Sequence, residues 1–266
     1  MFIRPAMLVC ACLLLGSTEL AGQGAPGSPP VTTRIPAEKA SRARLDAARL
    51  ARIETHAEEG WSKSPVDPTP ILQAFDALRL KKDMMLRAYL FREGGNGNGV
   101  VWALPEGSAF PEPERGLGRE VSLRHPPRPP AALDDAMLAI VGDDTPWSYL
   151  SASLLGRQFK AFGAMWHGES WGTHEILGEN PVTSGSGRKR TVPIGKPVDW
   201  RWREPEPRDW NPSVAVGADG VVVVFYTYSA LGQQTITRHT DTFKAGSYVY
   251  STRTDEVAQG PGGFVF

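Results

Sequence analysis

Hydrophobic and polar positions change period several times along the chain, and each change predicts an element. From Ala37 to Glu59 the residues are mostly Ala, Arg and Glu, with no internal Gly or Pro. That run predicts a helix with a thin apolar stripe (Leu45, Leu50, Ile53, Ala57), closed by Gly60. After a short proline-broken linker, Ile71, Leu72, Phe75 and Leu78 recur at helical spacing, with Thr69 as an N-cap before Pro70. The period then drops to two. Leu86, Ala88 and Leu90 alternate with Arg87, Tyr89 and Phe91, and Val100–Leu104 answers across Gly94–Gly99, which predicts a β-hairpin.

A proline-rich connection over 105–130 leads to a predicted helical hairpin. Its first arm carries Leu133, Met137, Ile140 and Val141 on one stripe and stops at Gly142. The second starts with Thr145 as N-cap and Pro146 at the first helical position, and continues through Leu150, Leu154, Phe159, Phe162 and Trp166. From Pro212 to Arg253, Val, Thr and Tyr runs broken by Ala-Asp-Gly, Leu-Gly and Ala-Gly predict three or four antiparallel strands. The pattern is that of an α+β fold: a central helical hairpin packed with an N-terminal β-hairpin and a C-terminal antiparallel β-meander.

The amino terminus narrows the setting. Arg4 and the apolar run Pro5–Leu15, followed by small residues, have the order of a secretory signal over 1–22, too short to span a bilayer. Cys12 offers a weaker lipidation reading. Residues 23–36 read as a disordered lead-in, 37–60 as a helical arm and 61–266 as one domain. Export to a periplasmic or extracellular space is therefore expected. Both cysteines, Cys10 and Cys12, lie in the leader, so the mature chain carries no disulfide, thiolate nucleophile or zinc–thiolate site. Acids and bases balance at 29 each, which excludes the basic field needed for nucleic-acid binding. No later apolar run is long enough to hold the chain in a membrane.

Candidate chemistry concentrates in residues 163–177, GAMWHGESWGTHEIL. His167, Glu169 and His174 are the residue types of an imidazole–carboxylate metal set, although their spacing matches no known ligand frame, so no metal is assigned and no cofactor follows. Gly168–Gly172 fits G-x-S-x-G around Ser170 and resembles the nucleophile elbow of the α/β-hydrolase family. The resemblance covers five residues. It implies Ser170 as nucleophile, an acid at Asp199, Asp209 or Asp219, and His239 as the later base. The family's elbow follows a buried strand, whereas a helix is predicted here.

Binding chemistry is the other candidate. Trp171, Trp200 and Trp202, with Arg201 between the last two, are the residue types of an aromatic platform for a sugar or an apolar partner. Buried, the same indoles would lid the core. Asn96 and Asn98, in a glycine-rich loop, join them as candidate ligand-binding residues, although no helix follows that loop as a phosphate cradle would need. The leading expectation is an exported domain that binds a glycan, peptide or small ligand without catalysis. The alternative is a metal-dependent or serine hydrolase using His167, Glu169, Ser170 and His174. Convergence of 166–175, 94–99 and 200–210 on one cleft would mark a site.

Overall fold

The computed structural model describes residues 29–265, apart from 54–58, 95, 114–124, 166–169, 185–189 and 191. In chain order the elements are β1 (Val31–Arg34), α1 (Ala37–Leu50), β2 (Gly60–Lys63), β3 (Leu78–Leu80), β4 (Met84–Glu93) and β5 (Asn96–Pro105). There follow β6 (Ile140–Gly142), α2 (Pro146–Lys160), β7 (Glu175–Ile176), β8 (Arg201–Trp202), β9 (Ser213–Gly217), β10 (Gly220–Ser229), β11 (Gln233–Phe243) and β12 (Tyr250–Gly262). Seven strands form the main sheet in the order β1-β9-β10-β11-β12-β8, with β7 also on β10. A second sheet is β2-β4-β5, and a third pairs β3 with β6. Every strand pair in these sheets is antiparallel.

The predicted architecture of a central helical hairpin with a meander is therefore overturned. Among the described residues the structure is mostly β, 38% strand against 22% helix, and two α-helices support a large curled sheet. The first arm of the expected helical hairpin is a 3₁₀ turn, Ala136–Ala139, running straight into β6. Likewise, the helix expected after Pro70 is a 3₁₀ turn, Thr69–Ala74, followed by β3. These two segments pair with each other, Leu78 with Gly142 and Leu80 with Ile140. Their apolar residues satisfied a helical spacing locally, but pairing across sixty residues decided the backbone.

Helix α2 forms where its signals stand. Pro146 occupies the first turn, and Thr145 Oγ1 accepts from Ser148 N at 3.3 Å while Asp143 Oδ1 receives Thr145 N and Oγ1. Thr145→Ala is expected to remove about 1 kcal/mol of stability, read as a lower midpoint in thermal or urea unfolding. Ser148, Ser151, Ser153 and Gly156 give α2 small side chains where it lies on the sheet. At Gly156 a Cβ would stand 2.6 Å from the Tyr250 hydroxyl, so only glycine lets β12 come this close. Helix α1 buries Ala37, Ala40, Ala43 and Ala47; of the predicted stripe, Leu50 and Ile53 pack against the core, Leu45 is 49% exposed and Ala57 lies outside the described residues.

Period two in β10 and β11 divides the core. Val221, Val223, Phe225, His239, Asp241 and Phe243 are buried, and their apolar members join α1 and α2 in the main cluster. Tyr228 and Ile236, directly opposite one another, join a second cluster with Leu177, Trp200, Trp210 and Val257. A third lies under the β4–β5 hairpin around Trp61, Tyr89 and Trp102. The hairpin turn is tighter than predicted, because Glu93 already pairs with Asn96 and places Asn96–Gly99 in the strand.

Candidate functional site

One inward pair in β11 breaks the apolar pattern: His239 and Asp241, 6% and 0% exposed. Opposite them α2 presents Arg157, whose guanidinium meets Asp241 through both oxygens, Nη1–Oδ2 at 2.6 Å and Nη2–Oδ1 at 3.0 Å. Arg157 Nη1 also donates to Ser153 O, and Nη2 to Thr252 Oγ1. Burial works against the Arg157 charge, but the Asp241 hydrogen bond and nearby charges outweigh it and raise its pKa. The pair locks α2 to β11 and β12.

His239 lies between Arg157 Nη2, 3.4 Å from Nδ1, and Thr227 Oγ1, 2.9 Å from Nε2. A guanidinium only donates, so Nδ1 is the acceptor and Nε2 carries the proton toward Thr227. The ring stacks on Phe225 at 4.7 Å and meets the edge of Trp171 at 6.2 Å. Burial first, then the Arg157 and His174 charges, push its pKa down to about 2. His239 is a neutral, sequestered imidazole.

Of the residues singled out in 163–177, His167 and Glu169 fall outside the described residues, as does the side chain of Ser170. Ser170 opens a 3₁₀ turn, Ser170–Thr173. Trp171 is buried, with the guanidiniums of Arg44 and Arg157 each 5.7 Å from its ring. His174 is half-buried, stacked on Trp171 at 5.6 Å and 6.3 Å from His239. The structure thus joins Trp171 and His174 to His239. Among the described residues, no cluster of three or more His, Cys, Asp or Glu side chains is placed to hold a metal ion.

The family arrangement implied by G-x-S-x-G does not match this geometry. An α/β-hydrolase elbow sits on a parallel sheet, whereas the pairing here is antiparallel. A triad histidine needs a carboxylate on one ring nitrogen to stabilise its imidazolium, and His239 has a guanidinium there. Of the three carboxylates that the resemblance implied, Asp199 Oδ2 accepts from Lys196 N, Asp209 pairs with Arg34 at 2.9 Å, and Asp219 is exposed in the turn between β9 and β10.

Trp200 is 6% exposed and lies in the second cluster, 6.4 Å from Tyr228, and Trp202 packs beside it against Trp210. Arg201 is exposed. The two indoles lid the core on the far face of the sheet. Asn96 and Asn98 lie on β5, where Gly97 and Met165 exchange both backbone hydrogen bonds, so the hairpin tip meets the exit of α2. Asn98 helps line a cleft of about 410 Å³ with Trp61, Trp102, Lys160 and Tyr250. Trp171 and Gly172 line another beside Arg92 and Met165. The three segments do not converge on one cleft among the described residues.

Sequence reasoning passed over Arg157, Asp241, Thr227 and Tyr250. The available signal was the polar pair His239 and Asp241 on the inward face of a strand whose other inward residue, Phe243, is apolar. No family model, curated protein or solved structure matches the chain, so the residues and their geometry carry the functional reading.

Proposed function

We propose that the protein is an exported, non-catalytic domain that binds a glycan or a comparably polar small ligand. The observation that carries this reading is the 410 Å³ cleft between β5, α2 and the start of β12. Its size falls in the range of small-ligand sites. Trp61, Trp102, Phe159 and Tyr250 supply ring surface, while Asn98 and Lys160 supply polar groups. Sugars need that combination, since their C–H faces pack on rings and their hydroxyls seek donors and acceptors. The sequestered state of His239 favours binding over hydrolysis, because a base with a pKa of about 2 accepts no proton at neutral pH.

Titration calorimetry against a panel of neutral oligosaccharides tests the reading. Binding is expected for at least one, and Asn98→Ala and Lys160→Ala should each weaken it by about tenfold without moving the unfolding midpoint. Affinity unaffected by both substitutions would remove the cleft from consideration. Ser170 is expected to stay unmodified by a fluorophosphonate, as read by mass spectrometry, and stoichiometric labelling would instead support the serine hydrolase. Export belongs to the same proposal and rests on the leader pattern of residues 1–22; the mature protein should begin near residue 23 on N-terminal sequencing.

A further inference from the structure

We infer that the cleft between the end of α1, β4 and the exit of α2 binds a small organic carboxylate. It measures about 300 Å³ and shares no lining residue with the cleft beside Asn98. Ile53, Met165 and Trp171 give it apolar surface, and Arg92 and Gln158 bring polar groups. None of its described lining residues is acidic.

Two buried N–H donors on this cleft lack acceptors. Arg92 is 7% exposed, and its Nη1 donates to Phe91 O and to Gly163 O, each at 2.9 Å. Its Nε is buried and has no partner. Trp171, 4% exposed, likewise has a buried Nε1 without a partner. A buried donor left unmade is costly, and two on one cleft call for a group that only accepts. Gln158, 6% exposed, adds a carboxamide beside them.

Charge points the same way. Arg157 and Arg238 are bound by carboxylates that raise their pKa, whereas burial lowers that of Arg92 and no acid among the described residues offsets it. Arg52 also lines the cleft, but it is exposed and has contacts of its own, so the uncompensated charge is that of Arg92. The hairpin makes room for this cation, since a Cβ at Gly97 would collide with the Arg92 guanidinium and with Met165. A carboxylate supplies both the missing charge and the missing acceptors. An apolar body on it covers Ile53 and Met165, whereas an inorganic anion leaves this surface bare. The small volume suits a short acid.

Calorimetry on the full-length protein with hexanoate as probe and 1-hexanol as its neutral counterpart tests the inference. Saturable one-site binding of the acid is expected, with the alcohol at least about tenfold weaker. Arg92→Met removes the charge and every donor but keeps an apolar stem, and should weaken the acid by at least about tenfold. Trp171→Phe keeps a ring and deletes the N–H, for a loss of about fivefold. Gln158→Glu puts a fixed carboxylate in the cleft of Arg92. It should abolish acid binding without lowering the unfolding midpoint, a combination that loss of structure would not give. Arg253→Gln, which removes an exposed cation elsewhere, should leave the acid unaffected. Should Arg92→Met fail to fold, Gln158→Glu decides. Absence of saturable binding, equal affinity for acid and alcohol, full displacement of hexanoate by equimolar phosphate, or undiminished binding by Gln158→Glu would overturn the assignment. Because the probes and variants differ, this result and that for the oligosaccharide cleft stand or fall separately.

Discussion

Asp241→Asn is expected to lower the unfolding free energy by about 3–5 kcal/mol, the cost of leaving a buried cation without its counter-charge. Asp241 is fully buried and meets both terminal nitrogens of Arg157. The amide keeps the shape and one acceptor oxygen, but its NH₂ faces a guanidinium that has only donors. Arg157 cannot shed its proton to escape, and its contacts with Ser153 and Thr252 do not neutralise it. Chemical denaturation of wild type and variant at neutral pH measures the difference. The double variant Arg157→Met/Asp241→Leu should recover much of the loss, since replacing both charges with apolar groups of similar volume is often neutral. If Asp241→Asn costs less than about 1 kcal/mol, the pair is not the lock that its geometry describes.

Acid should destabilise the fold through His239. In the unfolded chain this imidazole takes up a proton near pH 6.5, whereas in the fold it does so only at about pH 2. Between those limits the unfolded state binds more protons, so stability falls as pH falls, by up to about 1.4 kcal/mol per pH unit from this residue alone. The full contribution is present above pH 6.5. His239→Gln preserves an acceptor for Arg157 and a donor for Thr227 but does not titrate. At neutral pH the variant should be less stable than wild type because of imperfect packing on Phe225. The gap should shrink or reverse toward pH 4, where the wild-type penalty reaches about 3 kcal/mol. Parallel stability profiles for the two proteins would show that the ring is not held neutral by its surroundings. Asp255, hydrogen-bonded by Arg238 and held below the usual carboxylate range, adds an acid dependence of its own, so the difference between profiles is the informative quantity.

Legibility of the fold varied with the range of the forces involved. Helix α2 was readable because Thr145 and Pro146 act within a single turn and the apolar spacing continues behind them. The β4–β5 hairpin was readable because its two strands face one another across a glycine-rich turn. The stretches around Ile71 and Met137 were not, since their 3₁₀-plus-strand form depends on pairing β3 with β6, remote in sequence. Helix α1 misled for a different reason. Leu45, one of its two leucines, is half exposed, and the buried face is largely a row of alanines that also places Arg44 under Trp171.

The candidate sites follow the same division. Trp171 and His174 drew notice through residue type alone, and the fold sets them against His239. Trp200 and Trp202 drew notice for the same reason and belong to the second core. Arg157 and Asp241 stand in α2 and β11 outside every motif of the sequence. By itself the sequence determined what local chemistry can determine: cysteines confined to positions 10 and 12, balanced charge, one capped helix and a strand-rich C-terminal third. Only the tertiary structure decided which polar residues are buried and which charges meet. Burial and ion pairing depend on elements far apart in the chain, and neither period nor composition encodes the partner across the core.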